Sequence, residues 1–291
     1  MRGWLHNAVI AAARAGDDNQ RWLFGALAAI VFLGWLPFAL AVVPLPSAAD
    51  LAFFGAGLYT SALWPLNAAA LALAVIAGAA AAAFLVAFGA AALLRREGIA
   101  RGSTLRDVAR VWLVQLVAAV PALVVAAALV ARLAAVAPAE YQSPNIGGPV
   151  EVRIGGDLLP LIALFLVALL AGQLVGGAAT RRVVDQRTGG IGRALSGAAA
   201  DLRQRPLRLL GVAVLTLLVQ VVDLLATYAL LRILWAPIGA QLSGGLLSSP
   251  STLLLLVGFV AIWLCLVLAA GVVFAWASAW WSIEMEVVGQ S

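Results

Sequence analysis

The chain has 291 residues, of which 64% are hydrophobic and only 11% charged, and its mean hydropathy is +1.06; a soluble globular chain carries about a quarter charged residues. These figures exclude a soluble enzyme, a disordered segment and a secreted disulfide scaffold, and leave an all-α membrane protein. The net charge of +5 rests on 18 arginines with no lysine, a basicity that in a membrane chain points to the anionic cytoplasmic leaflet and not to nucleic acid.

Six apolar stretches reach the roughly 20 residues that a membrane helix needs, at about 23–43, 66–94, 112–136, 158–180, 208–235 and 252–282. The polar segment ahead of the first holds Asp17 and Asp18. It is too long and too acidic for the leader of a cleaved signal peptide, so the first stretch is expected to remain as a span. Leu51 to Pro65, with Gly55 and Gly57, is too short to cross alone and is expected as an interfacial or re-entrant piece. Pro121 is expected to kink span three. In the loop after span three, the alternation of Gly148-Pro149-Val150-Glu151-Val152-Arg153-Ile154 predicts a short strand or hairpin.

Arginine placement sets the orientation. Fifteen of the 18 fall before span one, between spans two and three, or between spans four and five, leaving Arg132, Arg153 and Arg232 on the other side. Both termini are therefore expected in the cytoplasm. The lysine-free, Ala- and Leu-rich composition fits a GC-rich bacterial genome, hence a bacterial plasma membrane. Trp22, Trp112, Trp280 and Trp281 are placed at the inner boundary, and Trp64 and Trp235 at the outer one, as interfacial belts.

The segments between spans carry their own pattern. Trp4, Leu5, Val9 and Ala12 recur at helical spacing. Thr104 and Asp107 suggest a capping box. Leu195, Ala198, Ala199 and Leu202 form an apolar stripe, with Arg193, Asp201 and Arg203 off it. The chain thus reads as a single transmembrane domain of three repeats, each an amphipathic helix plus a helical hairpin. The units are about 1–95, 96–180 and 181–291, beginning near Asn7, Thr104 and Gly192 at offsets of 97 and 88 residues. The stretch Ile191-Gly192-Arg193-Ala194-Leu195, continuing through Leu202-Arg203-Gln204-Arg205-Pro206-Leu207-Arg208 to Gly211, resembles loose bacterial six-span families of unknown function. Among these it is most similar to the membrane domain of glycerophosphodiester phosphodiesterases. That resemblance implies a fold and no reaction, since the acidic metal-binding cluster of the soluble phosphodiesterase domain has no counterpart here.

Asp223 is the one acid well inside a span, where a carboxylate costs about 3 kcal/mol or more. Gln220, Asp223 and Thr227 line one helix face, and Gln115 and Gln173 are candidates to join them in an intramembrane polar seam, with Arg132 as the favoured counter-ion. The seam reads either as an interhelical clasp or as a polar path. Gly172, Gly176 and Gly177 form a small-residue face for helix packing, within the bundle or between copies. Glu284 and Glu286 are expected to pair with loop arginines in water, and Cys265 to be a small core residue. One histidine, His6, and one cysteine admit neither a multi-histidine metal site, nor a bis-histidine haem, nor a disulfide, so no metal or cofactor is expected. No nucleophile–base pair, paired intramembrane acids or phosphate loop is present, so the expectation is not an enzyme. The expected role is a subunit or scaffold of a membrane complex, with the anionic leaflet and either a protein partner or a second copy as its contacts. The alternative is a transport protein with a polar path through spans three to five.

Overall fold

A backbone in hydrocarbon must satisfy its own hydrogen bonds, and a helix does so within one segment. The computed structural model describes residues 2–43, 57, 60–99, 105–142, 150–184, 190–244 and 249–289, and every regular element among them is a helix. In chain order these are α1 (Arg2–Gly16), α2 (Asn19–Val42), α3 (Leu66–Arg96), α4 (Leu105–Gln142), α5 (Val150–Val184), α6 (Ile191–Gln204), α7 (Pro206–Ser243) and α8 (Pro250–Gly289). All but α1 and α6 are long and apolar enough to cross a membrane. The chain is built as a multi-pass membrane protein of six spans. At 1.5 Å per residue the 38 residues of α4 extend about 57 Å, nearly twice a hydrocarbon core.

Two local expectations change. Residues 150–154 open α5 as helix, not strand: Ile154 and Leu158, four apart, pack on Val136 of α4, a contact that needs helical spacing. Gly148 and Pro149 lie outside the described residues, as does most of the Leu51–Pro65 run. The second repeat has no separate amphipathic helix, because α4 runs unbroken from Leu105 through Pro121. Thr104 lies outside the described residues, while Asp107 meets Arg110 one turn on, at 3.8 Å. Among the described residues, separate helices precede spans only in the first and third units.

Span one contains a turn that sequence periodicity does not announce. Asp18 caps α2 by accepting from the Gln20 N–H at 2.9 Å, and Ile30–Trp35 then widens into a π turn. Pro37 has no N–H for the Leu33 carbonyl, and its ring would crowd that oxygen in a regular helix. Trp263 of α8 donates its indole N–H to the neighbouring Gly34 carbonyl at 3.1 Å.

Helices α2, α3, α4, α5 and α7 follow one another around the bundle, and α7 closes back on α2. The last helix, α8, touches α2, α3, α5 and α7, with α1 laid on it and α6 laid on α5. Two crossings depend on missing side chains. A Cβ on Gly25 of α2 would fall on the Gly271 carbonyl oxygen of α8, and one on Gly89 of α3 would lie 2.7 Å from the Phe24 carbonyl oxygen. Packing is concentrated at one end. Ala87, Leu94, Val111, Val114, Ala178 and Ala179 form one core there, and Leu209, Val212, Ala213, Ala279 and Trp280 form a second beside it with Ala11 of α1. Toward the other end the bundle divides. Ala41, Leu231, Ile238 and Phe259 join α2, α7 and α8, while Val136, Ile154 and Leu158 join α4 and α5. Leu73, Val75 and Ile76 of α3 stand exposed, as do Leu254 and Val257 of α8.

Candidate functional site

The helix ends that carry most of the arginines come together at the tightly packed end, and there the polar side chains form a buried network. Arg181, the last-turn cation of α5, is 8% exposed. Its guanidinium donates to the Gly177 carbonyl at 2.9 Å, to Ser282 Oγ at 3.0 Å and to the Ser278 carbonyl at 2.6 Å, and it sits over the Trp281 ring. Ser282 in turn donates to Glu97, the residue that ends α3. A buried cation is tolerated when its donors are all engaged, and this one ties three helix ends into one register.

Two carboxylates complete the network. Glu284 of α8 is fully buried, ion-paired to Arg208 at the start of α7 and accepting from Asn7 of α1 at 2.9 Å. Asp201 of α6, 2% exposed, accepts both Arg182 Nε at 2.6 Å and an Arg182 terminal nitrogen at 2.5 Å, a bidentate pairing. Arg21 adds a third tie, donating to the Arg14 carbonyl at 2.6 Å and the Arg96 carbonyl at 3.2 Å, so that a cation closes the C-terminal ends of α1 and α3.

Several expectations are corrected here. Glu284 is paired as expected but buried, because α1 and α7 close over it; Glu286 alone is exposed. Asp201 lies on the buried face of α6 with Ala194 and Ala198, not off it, since Arg182 brings its counter-charge into the contact. Trp280 and Trp281 are core residues: Trp280 stacks on Trp4 at 4.9 Å and Trp276 at 5.2 Å, and Trp281 covers Gly177. Cys265 is exposed on the open side of α8.

The expected polar seam takes a different form. Thr227 is buried in the packed face of α7. Asp223, Gln220 and Gln115 are half-buried, while Gln173 and Arg132 are exposed. No hydrogen bond or ion pair joins any of these six among the described residues, and one oxygen of Asp223 is shut from solvent with no hydrogen-bond partner. Gly172 and Gly176 both face Ala118 of α4, and Gly177 faces Trp281 of α8, so all three lie at contacts within the chain. Sequence reading missed Asn7, Glu97, Ser278 and Ser282. The one signal available was the Ser278–Ser282 pair, one turn apart on the last span and level with Arg181.

Every cation in this network is held by a carboxylate, a carbonyl or a hydroxyl. The arrangement locks helix ends. Among the described residues no group of His, Cys, Asp and Glu is placed to hold a metal. The chain matches no family model, and no characterised protein or solved structure is similar enough to stand as a relative.

Proposed function

We propose that the protein is a non-enzymatic subunit or scaffold of a membrane complex, seated in a bacterial plasma membrane with both termini and the arginine-bearing end in the cytoplasm. The observation that carries this reading is the division of the bundle. A locked, polar base ties five of the six spans, and α4 packs against it through Val111 and Val114, while the far halves of α3 and α8 carry exposed apolar faces among the described residues. Helices anchored at one end and open at the other offer surface to a further helix. The many arginines around the base complement anionic lipid. The similarity of the Ile191–Gly211 stretch to membrane domains of phosphodiesterases fits a helix, an arginine-rich turn and a span, which is how α6 and α7 are joined.

A second reading, transport through spans three to five, rests on Asp223 and its unpartnered carboxylate oxygen. An intramembrane acid without a protein partner is suited to carry a proton or meet a cation. The test is purification of the tagged protein in mild detergent followed by native mass spectrometry. Proteins retained at fixed stoichiometry support the subunit reading. A lone chain that moves protons in vesicles, and stops doing so on Asp223→Asn, overturns it in favour of transport.

A further inference from the structure

At the far end of α7, Arg232 donates to the Ala41 carbonyl at 3.0 Å, close to the end of α2. This bond alone would make Arg232 a helix-closing cation. The guanidinium has five N–H donors, however, and no carboxylate pairs with it among the described residues. It opens onto a groove of about 520 Å³ lined by Val42, Arg232, Ile233, Trp235, Ala236 and Gly239. The groove walls are apolar apart from Arg232 and the Trp235 indole. Gly239 leaves the indole nitrogen accessible: a Cβ there would lie 3.5 Å from it. Two donors, one of them charged, therefore line the same largely apolar groove.

Depth says what meets that slot. Arg232 follows Arg208 by 24 residues of unbroken helix, about 36 Å at 1.5 Å per residue. With the Arg208–Glu284 pair at one boundary of a hydrocarbon core about 30 Å thick, Arg232 reaches the phosphate level of the opposite leaflet. We propose that this groove is a phospholipid site: Arg232 and the Trp235 indole hold the headgroup phosphate, and the apolar wall of Val42, Ile233 and Ala236 carries the start of an acyl chain. A cation with no carboxylate partner among the described residues, at the boundary of a membrane, selects an anion, and the lipid phosphate is the one present at that depth.

Native mass spectrometry of the full chain, released from micelles containing phosphatidylglycerol, tests the assignment. The wild type is expected to retain one phosphatidylglycerol at activation energies that strip the rest. Arg232→Gln should reduce that retention about tenfold, the loss of one charge-assisted contact, while Arg132→Gln, on another span at the same end, leaves it unchanged. Gly239→Leu fills the groove without touching the Arg232–Ala41 bond and should give the same loss, which keeps the test decisive if Arg232→Gln does not fold. Retention equal to wild type in Gly239→Leu means that Arg232 only closes α2 and overturns the site. Displacement of the lipid by inorganic phosphate alone would show a free-phosphate site and overturn the lipid assignment.

Discussion

Glu284 and Glu286 stand two positions apart on α8, yet their environments are opposite. Glu284 is sealed between Arg208 and Asn7, whereas Glu286 is exposed. Removing one partner of a buried pair leaves the other charge uncompensated, at about 3–5 kcal/mol. Glu284→Ala is therefore expected to lower the detergent-solution melting temperature sharply, while Glu286→Ala leaves it within error. Melting followed by size-exclusion chromatography separates the two, and equal behaviour would contradict the buried pairing. Replacing both Arg208 and Glu284 by methionine should recover much of the loss, because an apolar pair of similar volume needs no desolvation. Asp201→Asn is a milder case. The two hydrogen bonds from Arg182 survive in part while the charge is lost, so it is expected to loosen α6 from α5 and raise amide exchange in Ile191–Gln204 before global melting changes. The pairing of Glu284 with an arginine was legible in the sequence, but its burial and that of Asp201 were not. An acid near the end of an apolar run reads as solvated unless it is known which helix closes over it.

The spans were legible because they depend on composition summed over twenty residues, a quantity that tertiary contacts do not alter. What surrounds them depends on neighbours. The alternation at Val150–Ile154 gave way to helix once Ile154 and Leu158 met Val136, and the π turn at Ile30–Trp35 arises from a single proline and an indole on another span. The expected seam failed to assemble for a similar reason: Asp223 lies 15 residues along α7 from Arg208 at the base, whereas Gln115 adjoins Val114 of the base core, and which residues fall level is set by how the helices pack. Small residues mark where they touch. At Gly271 a side chain would meet the Trp22 carbonyl oxygen and, at 2.7 Å, the Ala26 nitrogen, whereas at Gly258 on the same helix nothing lies within 4 Å. Gly271→Leu must force α8 and α2 apart. Overpacking of this kind costs about 1–3 kcal/mol when side chains yield, and more here, where the obstacle is backbone. It is expected to abolish the monodisperse peak after extraction, with Gly258→Leu indistinguishable from wild type; a monodisperse Gly271→Leu would refute the crossing.

Charge is distributed unevenly along the long axis, with fifteen of the eighteen arginines in the segments at the base and only Arg132, Arg153 and Arg232 toward the far end. An axis of this kind fixes orientation, because translocating a cluster of arginines is opposed by both desolvation and the positive-inside bias. The base should face the cytoplasm, and the loops after α2, α4 and α7 should face outward. The single cysteine makes this measurable, since Cys265→Ala yields a thiol-free chain. Into it are placed Ser196→Cys on the exposed side of α6 and Ser243→Cys at the exposed end of α7. A membrane-impermeant maleimide applied to spheroplasts should label Ser243→Cys fully and Ser196→Cys only after lysis. The reverse pattern would invert the protein, setting fifteen arginines against the outer face and removing the anionic leaflet as the partner of the base. Labelling of both sites from outside would mean two orientations and would refute the reading from charge asymmetry. The same labelling in Arg232→Gln separates two roles for the far-end arginines. If they merely tolerate their position, the pattern is unchanged; if they are held there by lipid phosphate, α7 shifts along its axis and the Ser243→Cys rate changes.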